Sequence, residues 1–234
     1  MNRTFRFKQF SVDDSGAAMK VGTDAVLLGC LCEAENPAHA LDIGTGSGVI
    51  ALQLAQRFPN CQVDAVELDE AAALQAKTNF QASPWPARLQ IFQADVRHWQ
   101  EKQSYDLVVC NPPFYPHSFP AQGVMRQQAR EQQSLNYEDL AQVMASCLNT
   151  TGSCWCVLPT NFEGHWMQAL ASARLKAFSH TYIQGVSHKT ANRVVVGAAR
   201  VERAVESRQL VIRDAAGNYT ADYLRLTKDF YLFA

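Results

Sequence analysis

The sequence predicts an α/β fold, a mostly parallel sheet flanked by helices, and three observations carry that expectation. From residue 39 onward, short apolar runs alternate with segments of helical period. The run "YDLVVC" at 105–110 is almost continuously apolar, as suits a strand covered on both faces. Three glycines, Gly44, Gly46 and Gly48, stand between the first apolar run and the helix pattern that follows it.

Taken in order, "HALDI" at 39–43 reads as a strand and "GVIALQLAQRF" from Gly48 as its helix. "CQVDAVEL" at 61–68 is a second strand, "EAAALQAKTNF" from Glu70 a second helix, "RLQIFQA" from Arg88 a third strand and "YDLVVC" a fourth. After residue 135, Asn136 can cap a helix, Leu135 and Leu140 stand where a hydrophobic staple would, and Leu140, Val143, Met144, Cys147 and Leu148 form one stripe. "SCWCVLP" at 153–159 is a fifth strand and "FEGHWMQALASA" from Phe162 a helix. "FSHTYIQGV" and "NRVVVGAARV" close the pattern as two strands joined by a turn near 187–191.

Two segments fall outside this alternation. Residues 1–35 hold an amphipathic "FRFKQFSV" and a helix "DAVLLGCLC", which Thr23 can cap. Residues 115–134 are polar and weakly periodic, and a structureless run of that length inside a compact domain either has a role or is disordered.

At 234 residues and 47% hydrophobic, the chain can bury a substantial core in one domain. No apolar run approaches the roughly 18 residues a bilayer span needs, and the start "MNRTFRFKQF" has no signal-peptide core, so a soluble cytoplasmic protein is expected. Seven cysteines, an odd number with no Cys-x-x-Cys pair, suit reduced, mostly buried thiols and give no metal site. The net charge of −1 conceals an asymmetry. Residues 1–173 hold 11 Lys+Arg against 17 Asp+Glu, a balance of −6, and residues 174–234 hold 10 against 5, a balance of +5. A phosphate-bearing partner on the basic side is compatible with this, as is a merely solvated tail.

The glycine spacing is Gly-x-Gly-x-Gly, unlike the Gly-x-Gly-x-x-Gly of dinucleotide sites, and by itself could be a turn that lets strand and helix pack. Acids at the neighbouring strand ends add to it. Glu67, 23 residues after Gly44, can accept both ribose hydroxyls of a nucleoside. Asp95 can accept from an adenine amine, with Ala94 or Val96 against the ring, and Asp42 can order the loop and meet an ammonium group.

"LDIGTGSG", "AVELD", "QADV" and "NPPF" together resemble the four motifs of class I methyltransferases that use S-adenosylmethionine. The resemblance implies a Rossmann-like, doubly wound sheet of seven strands, mostly parallel with the last antiparallel. Under it, Glu67 and Leu68 hold the ribose and its surroundings, Asp95 and Val96 the adenine, and Gly44 to Gly48 the methionine portion.

Asn111, Pro112, Pro113 and Phe114 suit methylation of a planar amine. Such a nitrogen is a poor nucleophile because its lone pair is delocalised. Acceptors aimed at its two hydrogens, the Asn111 side-chain oxygen and the Pro112 carbonyl, stabilise positive charge developing on nitrogen. Prolines hold the carbonyl in place, and Phe114, with Tyr115 beside it, can stack on the substrate ring. Similar Asn-Pro-Pro-Phe/Tyr motifs occur in adenine-N6, guanine-N2 and glutamine-N5 methyltransferases. The stretch "MKVGTDAVLLG" from Met19 and the closing "YTADYLRLTKDFYL" extend the resemblance to the bacterial tRNA(Val) adenine-N6 methyltransferases. That family implies a tRNA anticodon loop as partner, and makes Lys20, Thr23 and Asp24 candidates for contact with cofactor or substrate. Arg126, Arg130, Lys189 and Arg193 are candidate phosphate contacts, each equally explicable as solubilising surface. The chain is expected to act as a monomer, in three parts: an N-terminal extension 1–35 over the cofactor site, a core 36–205 and a tail 206–234. The competing readings are methylation of another planar amine, a ribosomal-RNA guanine N2 or a release-factor glutamine N5, and a non-catalytic RNA-binding module.

Overall fold

A computed structural model describes residues 4–15, 20–99, 104–112 and 135–234. A small antiparallel pair, β1 (Thr4–Arg6) and β2 (Ser11–Asp13), precedes helix α1 (Thr23–Leu31). There follow β3 (His39–Ile43), α2 (Val49–Arg57), β4 (Gln62–Glu67), α3 (Glu70–Gln81), β5 (Leu89–Gln93) and β6 (Tyr105–Cys110). The chain continues with α4 (Tyr137–Cys147), β7 (Leu148–Pro159), α5 (Glu163–Ser172), β8 (Lys176–Val186), β9 (Arg193–Ala199), β10 (Glu206–Arg213) and α6 (Ala221–Thr227).

The main sheet has the order β10-β8-β9-β7-β6-β3-β4-β5. Only β9 runs antiparallel to its neighbours, β7 and β8. The order reverses at β3, whose two neighbours are β4 and β6, and in open α/β sheets ligands bind beyond the carboxyl ends of the strands at such a switch point.

Alternation along the central strands builds two cores. Ala40, Leu107, Val109, Trp155 and Val157 join one cluster, with α1, α2, Phe80 of α3 and Tyr223 of α6. Leu41, Ile43, Val108, Cys110, Cys154, Cys156 and Leu158 join the other, with α4 and α5. Successive side chains of a strand point to opposite faces, so a strand buried on both sides reads as an unbroken apolar run. Asn136 caps α4 as its position suggests, its side chain accepting from the Asp139 N–H at 2.7 Å. All seven cysteines are free, and burial pushes the Cys30, Cys61 and Cys154 thiols up to about 12.

Three details depart from expectation. The sheet has eight strands, because β10 pairs in parallel with β8 beyond the antiparallel β9. Its first four residues are exposed and two are charged, the pattern of a protected edge strand, which reads in sequence as a polar tail. Residues 206–234 therefore extend the main sheet, and α6 caps the α1 side of the core. The N-cap of α1 is Gly22, with no side-chain cap, and Thr23 is already the first helical residue, exposed at the surface.

Candidate active site

Strand register brings the motif residues to one edge. Ile43 pairs with Val66 on one side and with Cys110 on the other. Gly44, Glu67 and Asn111 therefore each follow directly on a paired residue at the ends of three neighbouring strands, which run some 4.8 Å apart. Gln93, which pairs with Glu67, stands two residues before Asp95.

The glycine loop is held open by its backbone conformation. Gly44, Gly46 and Gly48 have φ of +66°, +55° and +84°, a region that side chains with a Cβ adopt at a cost. A Cβ at Gly44 or Gly46 would meet nothing within 4 Å, so these two face open space. One at Gly48 would come within 2.5 Å of the Phe80 ring, so this glycine is where α3 packs under the loop.

The loop is tied at both ends by carboxylates. Glu67 Oε2 accepts from the Gly46 N–H at 2.8 Å, and Oε1 accepts from the Asp69 N–H at 3.0 Å. The carbonyl of Val66 accepts from Gly44 and Thr45. Asp42 is fully buried, and its Oδ2 accepts from Thr45 Oγ1 at 2.6 Å and from the Ala51 N–H at 3.1 Å, while Oδ1 has no partner. Loss of water is the main cause that lifts the Asp42 carboxyl to about 7; its two hydrogen bonds work against that rise and Glu67 adds to it. Asp42 thus joins the loop to the start of α2, and at 0% exposure it presents no surface to an ammonium group.

Asp95 is engaged in a way the sequence reading did not anticipate. Arg97 forks onto it, Nε lying 2.9 Å from Oδ1 and the nearer terminal nitrogen 2.6 Å from Oδ2, which holds the carboxyl below the usual carboxylate range. Leu68 stands 45% exposed beside Glu67, an apolar surface at the same edge, and Val96 is half-buried.

At the end of β6, Pro112 is buried and Asn111 half-buried, and the buried Oδ1 of Asn111 has no hydrogen-bond partner among the described residues. An unsatisfied buried acceptor costs about 1–3 kcal/mol and calls for an explanation. Pro113, Phe114, Tyr115, Arg126 and Arg130 lie outside the described residues.

Three remaining candidates are placed as follows. Lys20 Nζ donates to the backbone carbonyls of Asp14, at 2.6 Å, and Ser15. Arg193 is not a free surface cation: its Nε lies 2.8 Å from Asp24 Oδ2, joining the start of β9 to the first turn of α1. The pair leaves both side chains more than a quarter exposed. Lys189 is exposed on the β8–β9 turn, which Gln184 fastens by donating to the carbonyls of Ser187 and Lys189.

A residue missed in sequence, Asn79, also reaches the loop. It is 4% exposed, and its Nδ2 donates at 2.8 Å to the carbonyl of Ser47. An Asn in the interior of a helix is a poor helix former that usually has other work, and that was the available signal. Elsewhere, a cavity of about 520 Å³ lies at the opposite, amino ends of the strands, lined by His39, Gln62, Asp64 and Arg88 among others. Among the described residues no group of three or more His, Cys, Asp or Glu is placed to hold a metal, and no helix is long and apolar enough to cross a membrane.

The glycine loop, with open space above Gly44 and Gly46 and two carboxylates at adjacent strand ends, fits S-adenosylmethionine. Comparison with known proteins agrees. The family model described as "Methyltransferase small domain" matches residues 15–176. A tRNA1(Val) (adenine(37)-N6)-methyltransferase of Aeromonas hydrophila is 40% identical over 99% of this chain and 98% of its own length. One of Flavobacterium psychrophilum is 38% identical over 97% and 99%. Among solved structures, an Agrobacterium tumefaciens protein described as a predicted O-methyltransferase superposes with a TM-score of 0.70 at 19% identity, covering 88% of this chain and 96% of that one, a likeness of fold alone. The chain belongs to the methyltransferase small domain family and, at this identity over its whole length, to the family of these tRNA1(Val) (adenine(37)-N6)-methyltransferases.

Proposed function

We propose that this protein transfers the methyl group of S-adenosylmethionine to the exocyclic N6 of adenine 37 in the anticodon loop of tRNA(Val), acting as a monomer in the cytoplasm where tRNA is found. The observation that carries the reading is the buried Oδ1 of Asn111, without a partner among the described residues and directly following the strand next to β3 and its glycine loop. The names of its full-length relatives supply the substrate.

When bound, the cofactor supplies an electrophilic methyl on a sulfonium. Gly44 and Gly46 let backbone approach its methionine portion, and the remaining lone pairs of Glu67 accept from the ribose hydroxyls without loss of the Gly46 and Asp69 contacts. Asp95, kept ionised by Arg97, accepts from the adenine amine, with Leu68 and Val96 against the nucleoside. Asn111 Oδ1 and the Pro112 carbonyl take the two N–H bonds of the target amine, so its lone pair points at the methyl and the positive charge developing on nitrogen is stabilised. Pro113 stiffens this turn, and Phe114 and Tyr115 stack on the extruded base. Alignment supplies the rest of the catalysis, and no general base is needed because the proton leaves only after nitrogen becomes cationic. Lys189 contacts phosphate from the β8–β9 turn.

The test is transfer of labelled methyl to tRNA from cells lacking the gene, followed by nucleoside mass spectrometry. N6-methyladenosine at position 37 of tRNA(Val) is the expected product. Label in 2-methylguanosine of ribosomal RNA, in a release-factor glutamine, or nowhere would each overturn the reading.

A further inference from the structure

Asn79 makes three hydrogen bonds, all to backbone and across two distant parts of the chain. Its Oδ1 accepts from the Asp13 N–H at 3.0 Å, and its Nδ2 donates to the Asp13 carbonyl and to the Ser47 carbonyl, both at 2.8 Å. Toward Asp13 the amide behaves as a strand partner, satisfying donor and acceptor of the last residue of β2. Toward Ser47 it holds a carbonyl of the glycine loop. The next residue, Phe80, packs where a Cβ on Gly48 would stand. The second half of α3 is therefore a buttress for the loop, one residue by packing and the other by hydrogen bonding.

Further hydrogen bonds hold the residues on either side of Asp13 and up to α1. Asp14 is 2% exposed, and its Oδ2 accepts from the Val21 N–H at 2.9 Å. Lys20 Nζ donates back to the Asp14 carbonyl, and Asp24 in the first turn of α1 pairs with Arg193. The two ends of the N-terminal segment are thus pinned, at Asp13 by Asn79 and at Asp24 by Arg193. A side chain that holds Asp13 and Ser47 together makes the order of this segment and the order of the glycine loop a single event.

We propose that Asn79 is a positioning residue for cofactor binding, coupling the N-terminal segment to the glycine loop. The proposal rests on the reading that S-adenosylmethionine occupies the loop, and goes beyond it by assigning a residue that touches neither cofactor nor substrate. Removing the side chain leaves a buried carbonyl at Ser47 and both backbone groups of Asp13 without partners. The loop then samples conformations that cannot bind, and apparent affinity falls by the competent fraction.

The experiment uses the whole protein with S-adenosylhomocysteine as probe, its dissociation constant read by calorimetry. Asn79→Ala is expected to raise that constant about tenfold. With S-adenosylmethionine and tRNA both saturating, kcat should stay within about threefold, because Asn79 touches no reacting atom. Backbone hydrogen exchange should rise together in residues 11–15 and 44–48. Asn79→Asp keeps an acceptor for Asp13 but sets a carboxylate against two carbonyls, and should lose at least as much affinity. Leu170→Ala, a cavity variant within α5 on the other face of the sheet, supplies a control of reduced stability. An Asn79→Ala constant within about twofold of the parent, an equal loss in Leu170→Ala, or a rise in exchange at only one segment would overturn the proposal. Parent protein that binds the probe yet methylates no tRNA would sink the substrate reading and leave this test intact, whereas parent protein that fails to bind it would overturn both.

Discussion

At the end of β4, both oxygens of Glu67 accept hydrogen bonds from the protein's own backbone, while at the end of β6, two strands away, the side-chain oxygen of Asn111 accepts none from the described residues. The first region is finished by the fold: Val66, Glu67 and Asn79 fix peptides of the glycine loop, and Asp42 the Thr45 hydroxyl, before any ligand arrives. In the second, a buried acceptor is kept at a cost, and under the proposed function a planar amine would meet it. Rigid donors and acceptors already in place lower the reorganisation a ligand must cause, so the cofactor side favours affinity. An interaction made only with the reacting amine favours turnover.

The largest expected effect comes from removing the unfinished side. Asn111→Ala should lower kcat by about 10²–10³, the loss typical of one charge-stabilising group in a transition state. Binding of S-adenosylhomocysteine should be nearly unchanged, and thermal stability equal or higher, because the variant deletes an unsatisfied buried acceptor. Single-turnover methylation beside calorimetry checks it. A large loss of cofactor affinity would erase the contrast between the two regions.

Breaking the finished side should give the reverse pattern. In Glu67→Gln one carboxylate oxygen becomes an amide that must face either the Gly46 or the Asp69 N–H, donor against donor. Cofactor affinity should fall by about tenfold or more and unfolding free energy by about 1–3 kcal/mol, with kcat at saturating cofactor less affected. Affinity titration together with urea unfolding separates these. A drop in kcat alone would place Glu67 on the catalytic side.

The same contrast explains what could be read in the sequence. The strand ends were legible because a parallel sheet puts one end of every strand on one edge, so Glu67, Asp95 and Asn111 announce themselves by closing or following apolar runs. The central strands were legible for the same reason, as with "YDLVVC", which forms β6 with the bounds expected. What was hidden depends on contacts far apart in the chain. Asn79 lies 66 residues from Asp13, and Arg193 lies 169 from Asp24; neither pairing leaves a periodic trace. The edge strand β10 was hidden because its exposed, charged first half gives no apolar run to read. Arg97, only two residues from Asp95, carries little signal in sequence, because an adjacent pair of opposite charge so often means solvated surface.

A smaller effect sharpens the account of the finished side, where Asp42 gives the loop its order at a pH-dependent cost. Its folded carboxyl sits at about 7, above the ordinary value of 3.8. Below 3.8 both folded and unfolded chains are protonated and the burial carries no ionisation penalty. As pH rises the unfolded chain gives up this proton first, so the folded state loses stability across the window from about 4 to 7 and loses no more above it. Asn at this position does not titrate, yet its oxygen can still accept from Thr45 and Ala51. The stability of Asp42→Asn relative to the parent should therefore climb between pH 4 and 7, by on the order of 2–4 kcal/mol, and then level off. Urea unfolding at half-unit pH steps measures the slope independently of any constant offset from the substitution. A difference that stays flat across that window would mean Asp42 is ionised inside the loop, held so by the Thr45 and Ala51 donors against the loss of water.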